Sequence, residues 1–258
     1  MPAAVPAVLA AAGVVFVGLP LVGLLERVSW SSLGSELSAH DAYVALRLSL
    51  ETSLGALAVA VAFGLPLAWV LARRTFPGRA LVRALVVLPM VLPPVVGGIA
   101  LLYAFGRRGL AGQLLYDLTG WRLVFNTSGA VLAEAFVSMP FLVVTAEAAF
   151  RSMDRRAEEA AATLGAGPAY RFWRVTLPAV APALGAGAAL TWARALGEFG
   201  ATITFAGNLP GVTQTSPLLI YLDIESGHET TALALSLVLL LVSLGVLVGL
   251  RQRWLGNP

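Results

Sequence analysis

Six apolar stretches, each about long enough to cross a lipid bilayer, constrain this chain more than any other feature. They run at 6–25, 49–72, 85–106, 129–150, 179–206 and 231–250. At a rise of about 1.5 Å per residue, twenty helical residues span about 30 Å of hydrocarbon. Backbone polar groups in hydrocarbon must be satisfied within the segment, so the blocks are read as helices. Composition agrees: the chain is 58% hydrophobic and 12% charged, with a mean hydropathy of +0.84. Soluble domains carry about a quarter charged residues. The expected fold is all-α, a polytopic helical membrane protein with about six transmembrane helices. No Ser- or Gly-rich linker separates the blocks, so residues 1–258 are read as a single transmembrane domain.

Several kinds of chemistry are excluded by residue type. There is no cysteine, hence no disulfide, thiolate metal site or Cys nucleophile. There is no lysine either, and a P-loop needs one to reach the β- and γ-phosphates. Any ATP-driven step must therefore belong to another polypeptide. The six blocks hold no Asp and no His, which argues against an intramembrane protease. His40 and His228 fall in outer loops and do not make a metal site. The chain is read as a non-enzyme, with no metal or cofactor of its own.

The basic residues set the expected orientation. Arg73, Arg74, Arg79 and Arg83 follow the second block, and Arg151, Arg155, Arg156, Arg171 and Arg174 follow the fourth. Arg251 and Arg253 lie in the tail. The other side holds Arg27, Arg47, Arg107, Arg108 and Arg122, so the count is eleven to five. Positive charge favours the cytoplasm, which puts both termini there. The first block alone votes weakly the other way, since Arg27 follows it. It lacks a basic leader, so it is read as a span and not as a cleaved signal. The pI near 9.8 reflects Arg spread over short loops facing anionic lipid, not nucleic acid.

One polar stretch breaks the apolar pattern. Ser152 or Asp154 can cap a helix opening near Arg155, and residues 155–164 are good helix formers. Gly165 suits the left-handed residue that ends such a helix, and Pro168 suits the first turn of the next. Pro178 is expected to stop that second helix before the fifth span. A cytoplasmic helix–turn–helix at about 152–177 results, thin along Ala160 to Ala162 and rimmed by Arg155, Arg156, Glu158 and Glu159.

The spacing in this hairpin resembles the docking loop of ABC-importer permeases, which reads EAA, three residues, G, nine residues, I-x-LP. Here Glu159-Ala160-Ala161 is followed by Gly165 and then by Val175-Thr176-Leu177-Pro178, with Val for Ile the one departure. The resemblance implies a type I ABC-importer permease fold. It also implies that Glu159, Ala160, Ala161, Leu164, Gly165 and Ala166 couple to a partner ATPase. The bland alternative is an amphipathic surface helix pair with no partner.

Two further segments resemble the sulfate/molybdate branch of that family, most closely its molybdate permeases. One is Leu92-Pro93-Pro94-Val95-Val96-Gly97-Gly98 with Gly106-Arg107-Arg108-Gly109 after it. The other is Gly197-Glu198-Phe199-Gly200-Ala201-Thr202-Ile203-Thr204-Phe205, continued through Asn208-Leu209-Pro210-Gly211. The resemblance implies a permease for molybdate or tungstate in a bacterial or archaeal cell membrane. Sulfate or thiosulfate is the alternative substrate, and a secondary transporter driven by an ion gradient the remoter one. It further implies a second copy of the chain, two ABC ATPase subunits carrying ATP and Mg, and a periplasmic or lipid-anchored oxyanion-binding protein.

Polar residues within the blocks are the candidates for a pathway. Arg194 and Glu198 are four apart in the fifth block, so they share a helix face and can pair. They read either as a packing salt bridge or as a gate-lining pair, since unpaired charge in a membrane is costly. Thr202, Thr204 and Asn208 follow, with Thr204 and Asn208 expected as neighbours four apart. They line a wet route or hydrogen-bond helix to helix. Leu88-Pro89 and Leu92-Pro93-Pro94 are expected to kink or break the third block. Glu134 is a candidate to pair with an Arg of a neighbouring span, and Glu147 is expected to reach water. Residues 27–48, with Trp30 and Tyr43, are read as an outer loop, and Asp223, Glu225, His228 and Glu229 as another.

Overall fold

The structure is a computed structural model that describes residues 4–254. The chain ends, expected on the cytoplasmic side, lie outside the described residues. The described residues form helices and loops only. α1 (Ala4–Arg27) presents Phe16, Val14 and Leu19 outward, an apolar surface suited to lipid. α2 (Leu33–Ser38) leads into α3 (His40–Val59), a π-helical turn at Ala60–Gly64 and α4 (Leu65–Arg73), which together form one run of 34 residues. The run starts at His40, inside the segment read as a loop. Its first turns are helical because Ala42 and Ala45 pack on Leu219 and Leu235, while Arg47 and Glu51 pair at 2.6 Å on the open side.

The third apolar block is broken, as its prolines predict. α5 (Arg79–Val91) ends at Leu92, and Pro93 and Pro94 start α6 (Pro94–Phe105) in a new direction. α7 (Gly112–Thr119) is a short helix. Among the described residues five helices are long and apolar enough to cross a membrane, and the broken α5–α6 pair accounts for the remaining, third block.

α8 (Thr127–Ser152) is the centre of the bundle. Its small residues Gly129, Ala130, Ala133, Ala135 and Ala146 are buried and let neighbours close in on several sides. Toward its C-terminal end, Val143, Ala146 and Phe150 pack with Leu71, Val180 and Leu184. Toward its N-terminal end, Ala133 and Val137 pack with Leu101, Ala201 and Phe205.

Beyond α8 come α9 (Arg156–Thr163) and α10 (Pro168–Arg171), then a π-helical turn at Phe172–Thr176 and α11 (Leu177–Leu196). Pro178 does not stop the helix, contrary to expectation: Pro168–Leu196 is one 29-residue run. The physical reason recurs at Pro66. Each proline sits just after a π-helical turn, Ala60–Gly64 before Pro66 and Phe172–Thr176 before Pro178. A proline has no N–H to donate and its ring crowds the carbonyl four residues back. A wider turn shifts the bonding partner by one and relieves both problems.

The fifth block does not run through to 206. α11 ends at Leu196, and after Gly197-Glu198-Phe199 the chain restarts as α12 (Gly200–Phe205). α13 (Ser216–Ser226) and α14 (Glu229–Trp254) complete the order. Asp223 and Glu225, expected in a loop, are therefore helical. Burial pushes the Asp223 carboxyl up, with His228 opposing and Asp41 and Glu36 adding to the rise.

Candidate functional site

The hairpin at 155–177 is built by local chemistry. Asp154 Oδ1 accepts the Arg156 N–H at 3.0 Å at the start of α9, whereas the Ser152 hydroxyl donates back to the Ala149 carbonyl; the cap position itself is held by Arg155. Gly165 takes φ +85°, and the Ala166 N–H reaches back to the Ala161 carbonyl at 3.0 Å. That six-to-one bond with a left-handed glycine is the Schellman ending. Glu159 and Ala160 are exposed, and Leu164 projects with 89% of its surface open. Ala161 and Ala166 are half-buried, and with Leu164, Gly165 and Tyr170 they line a shallow cleft on the turn.

A neighbour of the sequence-predicted residues anchors this hairpin. Glu158, read as part of a solvated rim, accepts a hydrogen bond from Arg73 Nη2 at 2.9 Å and another from the Thr176 hydroxyl. It thereby ties α9 to the end of α4 and to the π-helical turn. Arg73 is only 10% exposed, so this pair is largely withdrawn from water. Glu147 also departs from expectation. It is buried and does not reach water; Arg83 binds it through two nitrogens, with Arg151 at 3.6 Å and Arg79 at 3.9 Å. Of these partners only Arg151, four residues on, was visible in the local sequence.

Arg194 and Glu198 do form an ion pair, Nη2 to Oε2 at 2.6 Å. Glu198, however, lies beyond the end of α11. Its other oxygen accepts the Ala201 N–H at 2.8 Å and so caps α12. One carboxylate holds both sides of the helix break, with 1% of its side chain exposed against 30% for Arg194. We expect these two residues to be coupled. Arg194→Ala and Glu198→Ala should each destabilise the detergent-solubilised protein, and the double variant should lose less than the sum, by about 1–2 kcal/mol. Additive losses in thermal unfolding would mean that the pair contributes nothing jointly.

Among the described residues Glu134 has no Arg partner. Its Oε1 accepts the Thr52 hydroxyl at 2.8 Å, across from α3. The one Arg in the six blocks, Arg194, is held by Glu198. Thr202 is fully buried, and its hydroxyl has no partner among the described residues. Thr204 donates to the Gly200 carbonyl of its own helix at 2.7 Å. Asn208 carries a buried Oδ1 with no partner among the described residues. Thr204 and Asn208 are not joined by helical spacing as expected, because α12 ends at Phe205 and Gly207 turns the chain at φ +82°.

Known proteins decide the family. Residues 64–257 match the family model described as binding-protein-dependent transport system inner membrane component. This chain belongs to that family. The permease is 47% identical over 246 residues to the molybdenum transport system permease protein ModB of Mycobacterium tuberculosis, covering 95% of this chain and 92% of that one. The ModB protein of Escherichia coli K12 is 44% identical over 214 residues, covering 83% of this chain and 93% of the relative. The sulfate transport system permease protein CysT of Synechococcus elongatus is 37% identical over 241 residues, covering 92% and 86%.

Among solved structures, the permease resembles a chain of the bacterial alginate ABC transporter in complex with an alginate pentasaccharide-bound periplasmic protein. The TM-score is 0.70 at 17% identity, over 94% of this chain and 91% of that one. A chain of the inward-facing MetNI methionine ABC transporter aligns with a TM-score of 0.59 at 16% identity, over 81% and 94%. These likenesses establish the ABC-transporter permease fold. The protein is a multi-pass membrane subunit of a family without catalytic function of its own.

Proposed function

We propose that this chain is the membrane subunit of an ATP-driven importer that carries molybdate, or the similar tungstate, into the cytoplasm. The observation that carries the substrate is the greater identity to molybdenum permeases, 47% and 44%, than to sulfate permeases, 38% and below. The working unit is two copies of the chain, two cytoplasmic ATPase subunits and an oxyanion-binding protein outside. ATP and Mg are held by the ATPase. Both termini face the cytoplasm, and the whole chain is one domain with its coupling hairpin at about 152–177.

The mechanism follows from the hairpin. The open surface formed by Glu159, Ala160 and Leu164 docks in the ATPase, and closure of the ATPase dimer moves it. Because Glu158 fixes α9 to α4, that movement passes to the long helix His40–Arg73 and the halves rock outward. Thr202, Thr204 and Asn208 are the pathway candidates beyond the Arg194–Glu198 pair. A dianion must leave as well as enter, so weak hydroxyl and amide contacts suit a route better than a fixed ring of Arg.

The test is uptake into proteoliposomes holding the chain, its ATPase and its binding protein. ATP-dependent accumulation of molybdate, outcompeting sulfate at equal concentration, is expected. Accumulation without the ATPase would overturn the ABC reading, and preference for sulfate the molybdate one. Gly165→Pro in the same assay should insert normally yet transport at least about tenfold more slowly. Proline is locked near φ −65° and cannot adopt the +85° of Gly165. Near-normal uptake by this variant would remove the hairpin from the mechanism.

A further inference from the structure

A pocket of about 300 Å³ lies between the inner end of α4 and the hairpin, and its charge is unbalanced. Four Arg residues line it, Arg73, Arg74, Arg155 and Arg171, against one carboxylate, Glu158. Glu158 is already committed to Arg73 and to the Thr176 hydroxyl. Arg74, Arg155 and Arg171 have no carboxylate within salt-bridge reach among the described residues. Arg171 Nε is buried and without a hydrogen-bond partner among the described residues, an orphan donor that a protein ordinarily satisfies. Arg74 is steadied over the Trp69 ring, its guanidinium carbon 6.0 Å from the ring centroid. Pro168, in the same wall, brings the positive end of the 29-residue run Pro168–Leu196 to the pocket.

We propose that this pocket binds one tetrahedral oxyanion group, the phosphate of an anionic phospholipid in the inner leaflet. Three unpaired guanidinium groups and a helix N-terminus complement a phosphate, which planar Arg donors bind in pairs of hydrogen bonds. Depth favours a lipid as the source. Arg73 is the last residue of the apolar run His40–Arg73, so the pocket opens where headgroups lie, with Trp69 at the interface. A free oxyanion from the cytoplasm has the same chemistry and is the other source. Arg74 follows α4, Arg155 precedes α9 and Arg171 ends α10, so one phosphate clamps all three elements, where Glu158 ties α9 to α4 and to the π-helical turn. This inference does not depend on which substrate is carried.

The test is thermal unfolding of the delipidated full-length chain in neutral detergent, at low and high salt. Phosphatidylglycerol, phosphatidylcholine, inorganic phosphate and molybdate are added separately. Phosphatidylglycerol should raise the midpoint by about 5 °C, phosphatidylcholine by clearly less, and high salt should shrink the rise. R155Q and R171Q should each lose at least half of it. R156Q, an exposed arginine of the same hairpin outside the pocket, should keep it. R155Q alters an exposed side chain, so the test stays readable should R171Q fail to fold. A rise with phosphate or molybdate but not with phosphatidylglycerol keeps the oxyanion site and assigns it to a soluble anion. Equal rises in wild type, R155Q and R156Q, or no rise with any anion, overturn the proposal.

Discussion

Replacing Glu147 by alanine is expected to be among the most damaging single changes in the bundle. Its carboxylate is 8% exposed and gathers Arg79, Arg83 and Arg151, from α5 and from the end of α8 itself. Alanine leaves three like charges crowded at a helix end with no counter-charge. Exposed pairs contribute about 0–1 kcal/mol, and breaking a buried one costs about 3–5 kcal/mol. The Arg partners are 22%, 38% and 53% exposed, so an intermediate cost of about 2–3 kcal/mol is expected. At about 2–4 °C per kcal/mol that lowers the unfolding midpoint by roughly 5–10 °C. Glu147→Gln keeps the shape and one acceptor, so it should lose less. An unchanged midpoint for Glu147→Ala would show that the three guanidinium groups find water instead.

How much of this could be read beforehand depends on the range of each interaction. The broken third block was legible because Leu92-Pro93-Pro94 acts through its own backbone. The left-handed Gly165 and the N-terminal Pro168 were legible for the same reason, as was the i,i+4 pair Arg194–Glu198. Interactions between helices were not. Nothing near Glu158 in sequence points to Arg73, nor anything near Glu134 to Thr52. The capping of α12 by Glu198 was hidden by apolarity: 179–206 reads as a block too long for one perpendicular crossing, to be met by tilt or by 199–206 leaving the hydrocarbon, and nothing in it marks the turn at Gly197-Glu198-Phe199. Pro178 misled in the opposite direction. Its rule as a helix breaker holds locally, and the π-helical turn ahead of it is a tertiary accommodation that no propensity records.

Two adjacent glycines on α6 should respond very differently to one added methyl. At Gly98 a Cβ would lie 2.6 Å from Thr204 Cβ and 2.9 Å from the Ala201 carbonyl oxygen. At Gly97 it would meet only the Phe136 ring, Cε1 at 3.3 Å and Cδ1 at 3.8 Å. A ring can swing by a few tenths of an ångström, whereas the α12 backbone cannot yield without moving the helix. The opposing surface is equally tight, since a Cβ on Gly200 would come within 2.7 Å of Pro94 Cβ. Alanine at either position gains about 1 kcal/mol of helix propensity. For Gly97→Ala that gain offsets the mild contact, and stability should change by under about 0.5 kcal/mol. For Gly98→Ala overpacking of about 1–3 kcal/mol or more outweighs it. Gly98→Val should fail more severely, since two further methyls have no room. The consequence reaches function through α12, which carries Thr202 and Thr204 and is capped by Glu198. Prising α6 from α12 should slow substrate uptake by about tenfold or more in Gly98→Ala while Gly97→Ala remains close to wild type. Paired melting curves and uptake assays on the two variants decide it, and equal behaviour of the two glycines would refute the close contact between α6 and α12.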